Sequence, residues 1–175
     1  MTDDDLVPIS VRLGEVVPPE DPEDWTRPLT WMAAAGMIVA PLFAFGWFAF
    51  GGPSDADPVP LTWVLAATIA AGAALTGASQ SSRAWAFAGT LGAGLFGALA
   101  TILIGLAVSG GRQVGIASPP LTHAFLASVA GLAGACAASV AAAATPSVVA
   151  RWVRWLVATA CAAVAIGVVV ALGPF

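Results

Sequence analysis

The chain reads as an all-α, polytopic membrane protein: a bundle of about five transmembrane helices, N-terminus in the cytoplasm and C-terminus outside. Three observations carry that reading. Only 9% of the 175 residues are charged and 59% are hydrophobic, whereas a water-facing domain carries about 25% charged residues to keep its surface solvated. Five apolar runs are long enough to span a bilayer, since about 20 residues at about 1.5 Å each cross the hydrocarbon layer. The six cations are all arginines, and they fall unevenly on the two sides that those runs define.

Residues 1–28 form a cytoplasmic tail that holds eight of the ten acids. Pro8, Pro18, Pro19 and Pro22 exclude a long helix there. Within it Val7, Ile9, Val11 and Leu13 alternate, followed by Val16 and Val17. That pattern suits an extended segment laid against a partner surface or sheet edge. The extreme N-terminus is acidic where a secretory leader would be positive, so the first apolar run is expected to stay as an anchor.

The bundle, residues 29–175, follows. Its spans are expected at 29–50, 61–78, 84–108, 121–144 and 155–172. None of these runs contains Asp, Glu, Lys or Arg. Turn chemistry separates them: Gly51-Gly52-Pro53, Ser79-Gln80-Ser81-Ser82, Gly110-Gly111 with Pro119-Pro120, and Thr145-Pro146-Ser147. A β-barrel would instead need short alternating segments.

Orientation comes from the arginines. The tail, second and fourth connections share one side and hold Arg12, Arg27, Arg83, Arg151 and Arg154, against Arg112 alone on the other. The crowded side is therefore cytoplasmic. Tryptophans agree, because indole prefers the headgroup zone. Trp25, Trp31, Trp85, Trp152 and Trp155 sit at cytoplasmic ends, Trp47 and Trp63 at outer ends.

Pro41 should kink the first helix. The third run has ten Leu, Ile, Val and Phe residues, the fourth only six, so the fourth is expected to be the most enclosed by protein. Small residues recur at every fourth position on both: Gly89, Ala93, Gly97, Thr101 and Gly105, then Ala127, Gly131, Ala135, Ser139 and Ala143. Such ridges let backbones approach closely in lipid, where van der Waals packing drives association.

Chemistry is sparse. His123 is the only ionisable residue inside a predicted span, apart from the two cysteines, and is the weak candidate for a cofactor ligand. A bis-histidine haem site would need a second His from another chain. Cofactors thus stay unknown, with none encoded by this chain alone. Cys136 and Cys161 lie apart and form no CxxC. No metal site, catalytic set or phosphate-binding loop is recognisable. Asp55 and Asp57 are expected to be solvated loop residues. The net charge of −4 argues against nucleic acid.

The expectation is therefore a non-catalytic accessory or structural subunit of a larger complex in a prokaryotic inner (cytoplasmic) membrane, such as an electron-transport or photosynthetic one. Its partners would be other membrane subunits and lipids, not a small-molecule substrate, with the tail docking on a partner. The alternative is a small homo-oligomeric transporter or channel for an uncharged solute. Its path would be lined by Thr68, Thr76, Thr90, Thr101, Ser128 and Ser139.

Overall fold

The computed structural model describes residues 26–49, 59–80, 82–109, 119–146 and 149–172. They form five helices and no strand among the described residues: α1 (Thr26–Ala49), α2 (Val59–Ala78), α3 (Arg83–Ser109), α4 (Pro119–Ala144) and α5 (Arg151–Leu172). Four of these, α2 to α5, are long and apolar enough to cross a membrane; in α1 the described apolar stretch is Thr30–Gly46.

Local chemistry sets the ends. Ser82 caps α3, its hydroxyl accepting from the Trp85 N–H at 3.2 Å while its carbonyl accepts from Ala86 at 2.8 Å. Pro119 opens α4, where a missing N–H costs nothing. At the other end of α4 Thr145 adds one bond to Ala141 at 3.0 Å, and Pro146 cannot extend the ladder. In α1 the helix continues on both sides of Pro41, which is buried. Its ring removes the N–H that would bond the Met37 carbonyl.

Each helix packs on its chain neighbour. Beyond that α2 also meets α4 and α5, and α1 also meets α3. Helix α2 thus touches all four others, with α1 and α5 on its flanks. The expectation that α4 is the most enclosed needs correction. Ten of the 18 residues of Leu61–Ala78 are buried, against ten of the 24 of Leu121–Ala144 and three of the 22 of α5. Insertion energy follows large apolar side chains, whereas enclosure here follows position, and α2 occupies the centre.

Helices α2 and α4 run parallel, which two contacts at opposite ends establish. Thr62 near the start of α2 meets His123 near the start of α4. Gln80 just past α2 and Ala142 in the last turn of α4 both meet Arg154. The first contact marks the histidine end of the bundle and the second its arginine end.

The core divides accordingly. Near the histidine end Phe45 and Leu65 pack with Ala44, Ala124 and Ala127, flanked by Leu61, Ile104 and Val108. Towards the arginine end the buried set is entirely alanine: Ala70, Ala74, Ala86, Ala138, Ala142, Ala158 and Ala162. Side chains this small bring backbones together, and close approach supplies the dispersion energy that lipid does not otherwise favour.

Glycines mark the tightest crossings. A Cβ on Gly94 would strike Ala135 Cβ, and one on Gly77 would strike the Thr90 hydroxyl and lie 3.1 Å from the Ala86 carbonyl. One on Gly97 or Gly131 would come within 2.8 or 2.9 Å of Met37 or Ile69.

Candidate functional site

The first turns of α5 gather the least expected chemistry among the described residues, on Arg151, Arg154, Trp155 and Thr159. The Ala150 carbonyl accepts from the Val153 N–H at 3.0 Å and the Arg154 N–H at 3.2 Å, so helix already exists at Arg151. Helical spacing then puts Arg151, Arg154, Ala158 and Ala162 on one face. Both alanines are essentially fully buried, which lets α5 close in and carries the Arg154 guanidinium into the bundle.

Arg154 is 2% exposed. Its Nη1 donates to the Gln80 carbonyl at 2.9 Å and its Nη2 to the Ala142 carbonyl at 3.3 Å. Those carbonyls belong to the last turns of α2 and α4 or lie just beyond them. Helix ends leave such acceptors unpaired and carry partial negative charge. One cation therefore caps two parallel helices from a third. No Asp or Glu occurs among the described residues, so no carboxylate there balances it. Arg154 Nε, Trp155 Nε1 and Thr159 Oγ1 are buried and find no acceptor.

This corrects two sequence expectations. Arg151 and Arg154 are not loop cations preceding a helix that starts at Trp155; they form its first turn. Nor is His123 the only strongly polar ionisable side chain held within a helix, since Arg154 is more deeply enclosed. An arginine tolerates such a position when carbonyls meet its fork, a condition invisible in a hydropathy count.

His123 is half-buried and its Nδ1 lies 2.9 Å from Thr62 Oγ1, a bond whose donor depends on the tautomer. The weak cofactor candidate is thus engaged in fastening α4 to α2. Among the described residues no group of three His, Cys, Asp or Glu could hold a metal. Cys136 is exposed and Cys161 half-buried.

The hydroxyls named for a solute path bond instead to carbonyls, mostly one turn back on their own helices. Thr68 donates to Val64, Thr76 to Gly72, Thr90 to Ala86 and Thr101 to Gly97, at 2.7 to 2.9 Å. Ser139 donates to Cys136 at 2.7 Å. Ser128 is shared between Ala124 at 2.7 Å and Ala98 across on α3 at 3.1 Å. Such back-bonding consumes the donor.

Of the small-residue ridges, Gly97, Gly105, Ala127, Gly131, Ala135 and Ser139 are buried, while Gly89 and Ala93 are half-buried. Gly94, absent from the predicted ridge, sits where an added Cβ would strike Ala135 across the α3–α4 seam. Its signal was present as Gly94 and Ala98 at the same spacing, one residue out of register. Trp31, Trp85 and Trp152 are 77%, 68% and 61% exposed. The tail residues Val7, Ile9, Val11, Leu13, Val16 and Val17 lie outside the described residues, as do Asp55, Asp57, Gly110 and Gly111.

An open groove of about 380 Å³ lies between α1 and α2, walled by Val39, Phe43, Val64 and Leu65 among others. Its one hydroxyl, Thr68, is spent on Val64. Compared with protein-family models, characterised proteins and solved structures, the chain matches none.

Proposed function

We propose that this chain is a non-catalytic accessory subunit of a larger assembly in a prokaryotic cytoplasmic membrane. In this reading it crosses the bilayer five times, with α1 included, and places the arginine end in the cytoplasm. An electron-transport or photosynthetic complex is the class to look for first.

One observation carries the reading. Most of the described polar side chains within the bundle are spent on carbonyls of their own helices, and the Arg154, Thr62–His123 and Ser128 contacts fasten one helix to another. The described walls offer a packed alanine and glycine interior instead of a wetted route. The transporter alternative loses support for the same reason, because its six hydroxyls point their hydrogens at backbone carbonyls. Large apolar side chains face outward, among them Phe43, Leu95, Phe96, Leu99 and Leu103. They suit either lipid or a neighbouring subunit.

The test is a gentle-detergent pull-down from native membranes with a tag on the C-terminus, followed by mass spectrometry and a visible absorption spectrum. Stoichiometric recovery of large membrane subunits is the expected result. Recovery of the chain alone, as a discrete colourless oligomer, would sink the proposal and turn attention to flux assays in liposomes.

A further inference from the structure

We propose that the acidic segment Glu20-Asp21-Pro22-Glu23-Asp24 docks on the arginine end of its own bundle, with Arg83 and Arg151 as its two landing points. The proposal holds whether or not the chain is a subunit of something larger, and it leaves Val7 to Val17 for a partner.

The chain segregates its charges. The described residues contain four arginines, Arg27, Arg83, Arg151 and Arg154, and no Asp or Glu. All four lie at the arginine end, because α1, α3 and α5 each begin there. Phe45, near the finish of α1, packs with Leu65 at the histidine end, and α3 and α5 follow α2 and α4 in the chain. None of the three has an acid in its first turn. Arg154 is committed to two carbonyls, whereas Arg83 is exposed and Arg151 half-buried. Like charges gathered at the edge of a low-dielectric bundle repel one another, and carboxylates beside them relieve that repulsion.

The missing counter-charge is tethered to the same end. Eight of the ten acids precede α1, against a single cation there, Arg12. That stretch lies outside the described residues, but it joins the bundle through Thr26, so connectivity puts it on the arginine side. Glu23 and Asp24 stand three and two residues ahead of Thr26, about 7–11 Å of extended chain. Helix α3 packs on α1, and neighbouring axes lie about 8–10 Å apart, which brings Arg83 within their reach. Glu20 and Asp21 stand six and five residues ahead, about 17–21 Å of chain. That matches the two axis spacings across α2 to Arg151. Pro22 disfavours helix at Asp21, so the outer pair keeps its reach.

The tether decides the outcome. An isolated surface ion pair contributes little, but a short link holds the acids at millimolar effective concentration. Anionic lipid headgroups are the rival counter-ion, and they must be gathered from the bilayer.

The chain contains no lysine, which makes a test specific. Arg83→Lys and Arg151→Lys keep the charge, and each introduces the sole side-chain amine. The full-length variants, in phosphatidylcholine nanodiscs, are treated with a carbodiimide, which joins an amine only to a carboxylate touching it. Mass spectrometry then identifies the acid. Arg83→Lys is expected to couple to Glu23 or Asp24, and Arg151→Lys to Glu20 or Asp21, in preference to Asp3, Asp4, Asp5 and Glu15. The yield should fall about tenfold between 10 mM and 1 M salt, as the screening length shortens from about 30 to about 3 Å. In phosphatidylglycerol nanodiscs the coupling should persist. Its loss there would hand the arginines to lipid phosphate and overturn the proposal. So would the absence of any amide, coupling spread evenly over the eight acids, a yield indifferent to salt, or amides formed only between two chains.

Discussion

The two ends of the bundle solve the same problem with different materials. At the histidine end a side-chain bond, Thr62 to His123, joins α2 and α4 above a core with Phe45 and Leu65. At the arginine end the fully buried cluster is all alanine, with Trp155 and Ile166 packed against its edge, and a single guanidinium ties the terminal carbonyls of both helices to α5. Large side chains fill space and keep backbones apart, so the histidine end can rely on interdigitation. Alanines let backbones touch, and the exposed carbonyls at the helix ends then need a donor from a neighbour. The difference teaches that small-residue packing and charged capping belong together in this fold.

That contrast can be broken most severely at Arg154. Arg154→Ala should destabilise the bundle by about 2–4 kcal/mol, because it leaves two enclosed helix-end carbonyls without their charged donor. Reversible unfolding in mixed detergent micelles measures this, and a loss under about 1 kcal/mol would mean the carbonyls are satisfied by water instead. Next in size is the alanine-and-glycine seam. Gly94→Ala should cost about 1–3 kcal/mol through its collision with Ala135. Its control is Gly92→Ala on the same helix, where nothing lies within 4 Å of the new methyl. That change should be neutral or slightly stabilising by helix propensity. Equal effects at both positions would refute close packing as the cause.

The histidine end is expected to yield less. His123→Ala or Thr62→Val should each cost about 1 kcal/mol, with the double variant showing a coupling of similar size in a cycle. Smallest is Ser128→Ala, at about 0.6 kcal/mol, the usual worth of an interhelical hydroxyl bond in a membrane. If the His123 variant proved costlier than the Arg154 variant, the assignment of the two ends would have to be exchanged.

Much of this architecture was legible in the chain, and the failures share a cause. Five apolar runs separated by Gly, Pro and Ser map closely onto five helices, because hydropathy and turn chemistry are local properties. The start of α5 was misplaced by four residues since arginines read as loop when counted for charge, and only the facing carbonyls of Gln80 and Ala142 reveal why Arg154 is buried. Likewise the enclosure of α2 is a matter of which helices surround it, and Ala-rich composition looks alike in a central helix and a flanking one. Gly94 was overlooked because in such a sequence several registers of small residues compete, and the partner helix selects among them.

The Arg154 cap has a consequence for the order of biogenesis. Helices α2 and α4 are synthesised before α5, so while the ribosome is still making the last span, the Gln80 and Ala142 carbonyls await a donor and α4 has only six large aliphatic or aromatic residues to hold it in lipid. Arrival of α5 supplies the donor and closes both helix ends at once. The bundle therefore cannot close at its arginine end until the last helix has packed against α2 and α4.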